Sequence, residues 1–268
     1  MRIVPARNGW MWLVRGFALF RRSPATWLLL VFSYWLGVAL IGEIRYLGPV
    51  VSTLLLPVFS VSFMVMCAAL DRGASLKPAM LFSGFHSELP ALIVLGGLYL
   101  VSIAAALAIA SLADGGALMG WVLSGREPPQ EALRDGSVSR ALLLAGLLAS
   151  PVLMAFWFAP VLVAWDKMGA LKSLFYSFFA GWRNWRAFLV YGAMLALVSV
   201  AFLVLVTITA VITRGQADLL RQLALLFTLF TLPTVFGSFY ASYRDIFPEG
   251  KVPAAPAGPG AKVSGGAS

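Results

Sequence analysis

The chain is poor in the residues that carry most enzyme and metal chemistry. Its 268 residues include one cysteine, Cys67, and one histidine, His86. A single thiol closes no disulfide within the chain, and one thiol with one imidazole does not complete a cysteine and histidine metal site, so no metal or cofactor is expected. Charge is scarce as well. Asp, Glu, Lys and Arg make up 12% of the residues, against about 25% in soluble domains. That leaves too little polar surface to cover a globule of this size in water. A compact cytosolic enzyme, a disulfide-stapled secreted domain and a disordered chain are all excluded on these grounds.

The local signatures of catalysis are also missing. A phosphate loop, a nucleophile elbow, a zinc pattern and a dinucleotide fingerprint are absent. Ser62, Ser102, Ser150 and Ser199 lie in apolar stretches with no acid or histidine nearby to activate them. Glu43 and Arg45 sit at the end of an apolar run, where long side chains snorkel to the interface. His86, between Phe85 and Ser87, reads as a headgroup-level polar residue, and Cys67 as a small apolar packer. A non-enzymatic protein is expected.

What the chain has is hydrocarbon. Hydrophobic residues make up 60% of it and the mean hydropathy is +0.89. Crossing a bilayer takes about 20 mostly apolar residues in a helix. Six stretches qualify, over residues 26–47, 50–70, 90–113, 140–165, 188–212 and 222–243. They are continuously apolar and do not alternate, so they read as helices, which satisfy their own backbone polar groups in lipid. Residues 1–247 form one all-α integral membrane domain, a six-span transmembrane bundle. The segment 248–268, rich in Pro, Gly and Ala, reads as a disordered tail.

Net charge is +9, but the cations stand in short runs beside apolar stretches and form no folded basic module, so no nucleic acid partner is expected. They set orientation instead. Six spans place both termini on one side, and that side holds 14 of the 20 Lys and Arg, leaving 6 on the other. Basic loops stay in the cytoplasm, so the termini and the tail are expected to be cytoplasmic in the bacterial inner membrane.

An internal repeat is the most specific pattern. Asp71-Arg72 followed by Leu76-Lys77 recurs as Asp166-Lys167 followed by Leu171-Lys172. Pro57 and Pro151 lie well back in the preceding spans, and Pro233 with Asp245 makes a third, weaker copy. The bundle is therefore read as three parallel hairpin repeats, each led by an interfacial amphipathic helix. Gly37 with Gly42, Gly192 with Ala196 and Gly237 with Ala241 are small residues at helix-packing spacing, inside the subunit or across a homo-oligomer.

In the clearest interfacial helix Leu171, Leu174, Phe175, Phe178, Phe179, Trp182 and Trp185 form one stripe, and Lys172, Ser173, Ser177, Arg183 and Asn184 fall away from it. Trp10, Leu13, Val14, Phe17 and Phe20 repeat the pattern near the N-terminus, and Leu76 to Phe85 supplies a middle member. Such a helix lies flat with its rings at the acyl boundary and its cations among headgroups. Arg21, Arg22, Lys172, Trp182, Arg183, Trp185 and Arg186 are the candidate contacts to anionic phospholipids, unless these helices serve only as anchors.

The runs Gly9-Trp10-Met11-Trp12, Asp71-Arg72-Gly73, Trp182-Arg183-Asn184-Trp185 and Tyr240-Ala241-Ser242-Tyr243-Arg244-Asp245-Ile246-Phe247 resemble an uncharacterised bacterial family of multipass inner-membrane proteins. The likeness covers residues 8 to 247 and implies a fold and a location, with no catalytic residue to transfer. More distantly, the hairpin design is similar to the membrane domain attached to some glycerophosphodiester phosphodiesterases. Their soluble catalytic domain has no counterpart here, so hydrolysis is not implied.

The expected role is a membrane scaffold or lipid-interacting envelope protein, alone, as a homo-oligomer or with other membrane proteins. The alternative is a transporter or flippase-like passage for a hydrophobic or amphipathic small molecule. Reporter fusions check the orientation. Those after Ser83 and Gly250 should report cytoplasm and one after Gly125 the outside, and an exported signal at Gly250 overturns the assignment.

Overall fold

The computed structural model describes residues 1–45, 47–125, 127–248 and 250. Among them the chain is helical, with no strand. Its elements are α1 (Asn8–Arg22), α2 (Pro24–Gly42), α3 (Leu47–Asp71), a 3₁₀ segment (Pro78–His86), α4 (Leu89–Ser111), α5 (Ala117–Ser124) and α6 (Gln130–Arg134). There follow α7 (Ser137–Trp157), α8 (Ala159–Asp166), α9 (Ala170–Arg183), α10 (Trp185–Ile212) and α11 (Ala217–Ile246). Six stretches are long and apolar enough to cross a membrane: α2, α3, α4, α7 with α8, α10 and α11. These are the six expected spans, shifted by a few residues at their ends. Of the expected tail over 248–268, all but residues 248 and 250 lies outside the described residues.

Local chemistry explains where the helices begin. Pro24, Pro90 and Pro160 stand in the first turns of α2, α4 and α8, where a missing N–H costs no helical bond. Between the third and fourth spans lie the short helices α5 and α6. Asp114 accepts the N–H groups of Gly116 and Leu118 at the start of α5. Asp135 accepts the N–H of Ser137 at the start of α7 (2.7 Å), which holds its carboxyl below the usual range.

The fourth span is not one continuous helix. It breaks at Phe158, just ahead of Pro160, which offers no N–H to the turn before it. Ser177 of α9 fills the break. Its hydroxyl accepts the N–H of Phe158 (2.8 Å) and donates to the carbonyl of Met154 (2.8 Å). Those two groups would bond each other in an unbroken helix, so the hydroxyl is an insertion into the ladder that keeps both satisfied at membrane depth.

The hairpins are α2 with α3, α4 with α7 and α8, and α10 with α11. Each leading segment packs on the hairpin before it, and the order closes on itself. The 3₁₀ segment leading the second hairpin packs on α3, α9 leading the third packs on α7 and α8, and α1 leading the first packs on α11 and α10. The middle segment, expected as an α-helix over 76–85, is 3₁₀ from Pro78. Its Gly84 approaches the α3 backbone, and the Gly84 N–H donates to Ser62 Oγ (2.9 Å).

The sequence puts the ring stripes of both α9 and α1 at the acyl boundary. On α9 the aromatic stripe points outward, with Leu171, Phe175, Phe179 and Trp182 exposed. The polar side is the docking face, where Ser173, Ser177, Ala180, Gly181 and Asn184 are buried. On α1 the expected single stripe divides. Leu13 and Phe20 are buried with Trp12 against the bundle, whereas Trp10, Val14 and Phe17 are exposed.

The densest core lies at the end of the bundle where α3, α8 and α11 finish. Buried residues of α11 run from Pro233 to Ile246, and those of α3, apart from Gly48, from Pro57 to Leu70. Fully buried rings there include Trp12, Trp27, Phe63, Phe158 and Tyr243. At the other end a small cluster of Ala110, Leu118 and Ala141 is separate from that core.

Of the small-residue pairs, a Cβ on Gly37, Gly42 or Gly192 would meet nothing within 4 Å among the described residues. Gly237 instead faces Gly16 of α1, and a Cβ on Gly237 would stand 2.7 Å from the Gly16 Cα. Gly237→Ala should therefore push α1 away from α11 and destabilise the protein by about 1 to 3 kcal/mol, the usual cost of overpacking. Thermal unfolding in detergent measures it, with Gly192→Ala as the neutral control; equal midpoints for the two variants would contradict the packing.

Candidate functional site

The three aspartates that end the repeats gather at one end of the bundle, and each is held by hydrogen bonds across the ring. Tyr240 Oη donates to Asp71 (2.9 Å) and Tyr243 Oη donates to Asp166 (3.1 Å). Both tyrosines belong to α11, so the third hairpin ties the first and second. Asp245 is held in turn by α1, accepting from Asn8 Nδ2 (2.8 Å), Trp12 Nε1 (2.9 Å) and Arg15 Nη1 (2.8 Å). Partly buried carboxylates persist only when donors replace lost water. The α1 interaction also places a cation against the last turn of α11, where the helix dipole favours it.

The elbow between α9 and α10 joins the same end. Asn184 is buried; its Oδ1 accepts the N–H of Val4 (2.8 Å), and its Nδ2 donates to the carbonyls of Arg2 (3.2 Å) and Ala180 (2.9 Å). It pins the N-terminal segment, so within Trp-Arg-Asn-Trp the asparagine is structural and its neighbours are outward-facing.

The candidate headgroup residues fall into two groups. Lys172, Trp182, Arg183, Trp185 and Arg186 are exposed on α9 and the start of α10. Lys172 Nζ stands 5.9 Å from the Tyr176 ring centre, and the Arg186 guanidinium 5.6 Å from that of Trp185. Arg21 lies over Phe17 of α1 at 5.9 Å. Arg22 is different. Its guanidinium donates to the Leu70 carbonyl and reaches that of Asp71 (3.4 Å), capping the C-terminus of α3.

Around Arg22 opens a cavity of about 320 Å³, lined by Arg15, Ala18 and Leu19 of α1, Asp71 of α3, and Tyr240, Ala241 and Arg244 of α11. Arg15 and Arg244 were not among the candidate headgroup residues. The sequence signal was indirect, in that Arg244 precedes Asp245, the third copy of the repeat aspartate. In the folded chain Asp245 pairs with Arg15.

A second, apolar cavity of about 200 Å³ sits where the second spans of the hairpins meet. Leu56 and Pro57 of α3, Phe156 and Trp157 of α7, Pro160 of α8 and Phe236 of α11 are among its walls. The Trp157 indole nitrogen is buried without a partner among the described residues. Among those residues no group of three or more His, Cys, Asp and Glu is placed to hold a metal ion.

No family model matches the chain, and no solved structure matches it. It is 36% identical over 253 residues to a probable inner membrane protein of Burkholderia thailandensis, a match that covers 91% of this chain and 92% of the relative.

Removing the Asp245 carboxylate strands donors from three side chains. Asp245→Ala should lower stability by about 1 to 3 kcal/mol, mostly through the buried Trp12 N–H, because Arg15 is half exposed and screened. Thermal unfolding in detergent reads the loss. An unchanged midpoint would mean that α1 does not depend on this carboxylate.

Proposed function

The chain belongs to the family of this probable inner membrane protein, and we propose that it serves there as a non-enzymatic membrane scaffold that engages anionic phospholipids along its basic end. As a multipass protein of the bacterial inner membrane it meets two anionic leaflets, and the positive-inside bias favours the cytoplasmic one for the basic end and both termini. The observation that carries the reading is α9. It turns a small-residue face to the protein and presents Leu171, Phe175, Phe179 and Trp182 outward, with Lys172, Arg183 and Arg186 exposed beside them. Rings at the acyl boundary and cations at headgroup level are the arrangement of an interfacial helix. Each cation near an anionic surface contributes about 1 kcal/mol.

The apolar cavity supports a second reading, a passage or resting place for a hydrophobic or amphipathic molecule. Its walls come from all three hairpins and are almost wholly apolar. Transported ions normally mark their route with charges, and the lining holds none, so an uncharged or lipid-like molecule suits it better.

Thermal unfolding in micelles doped with phosphatidylglycerol or with phosphatidylcholine separates scaffold from indifference to lipid charge. Phosphatidylglycerol should raise the midpoint more. The combined Lys172→Ala, Arg183→Ala and Arg186→Ala variant should lose most of that difference. Equal responses of the unaltered protein to the two lipids would defeat the anionic-lipid reading.

A further inference from the structure

The cavity beside Arg22 has an excess of positive charge that no group among the described residues neutralises. Three guanidinium groups, of Arg15, Arg22 and Arg244, line it against one carboxylate, Asp71. Arg15 is paired with Asp245, outside the lining. Among the described residues Arg22 is bonded only to backbone carbonyls, which are neutral. Arg244 is exposed and makes no hydrogen bond or ion pair among the described residues. The Tyr240 hydroxyl also lines the space while donating to Asp71, so the carboxylate already has a donor of its own. Gathering like charges costs free energy that an anion between them would recover.

We propose that this cavity is a binding site for one phosphate group, gripped by Arg22 and Arg244 and flanked by Arg15. The planar fork of arginine matches the oxygens of a phosphate bidentately, which a bare point charge does not. About 320 Å³ is at the small end of ligand sites, which run from roughly 300 to 1,000 Å³. A second opening at the same end is lined by Met1, Arg2, Asp166 and Tyr176 among others, so a single arginine faces its carboxylate.

The position selects a phospholipid headgroup as the source. Ala18 and Leu19 of α1 form part of the wall, and α1 turns Trp10, Val14 and Phe17 outward. A phosphate in the cavity would leave a glycerol backbone and acyl chains free to run over that apolar face. This site rests on the anionic-lipid reading but is separate from the surface of α9. It holds a single molecule in a cavity, whereas α9 meets lipid in bulk.

Native mass spectrometry of the full chain in detergent tests it, with phosphatidylglycerol and inorganic phosphate as probes. One phosphatidylglycerol should remain bound at saturation, and Arg244→Gln should weaken it about tenfold or more while leaving the thermal midpoint in lipid-free detergent unchanged. The combined α9 variant should retain that one lipid even where bulk preference for anionic lipid is lost, which separates failure of the wider reading from failure of this site. Displacement of the lipid by inorganic phosphate at comparable concentration would confirm recognition of the phosphate group and assign free phosphate as an equal ligand. Arg22→Gln, which also removes a cap on α3, is a second variant expected to weaken binding. Unchanged binding in Arg244→Gln, or lipid uptake that does not saturate at one, would overturn the proposal.

Discussion

Within hydrocarbon an apolar side chain gains little by exchanging lipid contacts for protein contacts, so the spans are held by close backbone approach and by hydrogen bonds. Every junction of the ring uses one or both. Gly16 meets Gly237 where α1 crosses α11, and Gly84 meets the α3 backbone and bonds to Ser62. Ser177 of α9 bridges the broken ladder of the fourth span. Because each leading segment docks on the preceding hairpin, no hairpin is complete alone.

The same logic explains why charge is concentrated where it is. A carboxylate at the end of a span is tolerable only with donors at hand, and Asp71, Asp166 and Asp245 receive theirs from other hairpins or from α1. The dense core, the donors and the arginines therefore share one end. That end carries both the exposed cations of α9 and the cavity between α1, α3 and α11. The opposite end, with a few small buried residues, contributes little to either.

Periodicity described α9 and α1 correctly as amphipathic and assigned their rings to the acyl boundary, but it did not say which side docks on the protein. A ring stripe satisfies a lipid boundary and a protein core equally well, since both are apolar. On α9 the decisive feature was the small size of Ser173, Ser177, Ala180 and Gly181, which allows the helix to dock by its polar side. On α1, Trp12 has an acceptor in Asp245 and is buried, while Trp10 is exposed and faces outward. Gly192 had the same spacing signal as Gly237, yet of the two only Gly237 meets a helix brought from the far end of the chain.

From its amino acids alone this protein was a six-span helical membrane protein with three related hairpins and a basic end, because span length, charge bias and repeat spacing are local and additive properties. Tertiary structure decided the closure of the ring, the break at Phe158, the faces that dock and the meeting of Arg15, Arg22 and Arg244. Those outcomes require residues distant in the chain to arrive within hydrogen-bonding or van der Waals reach, and neither composition nor periodicity encodes such pairings.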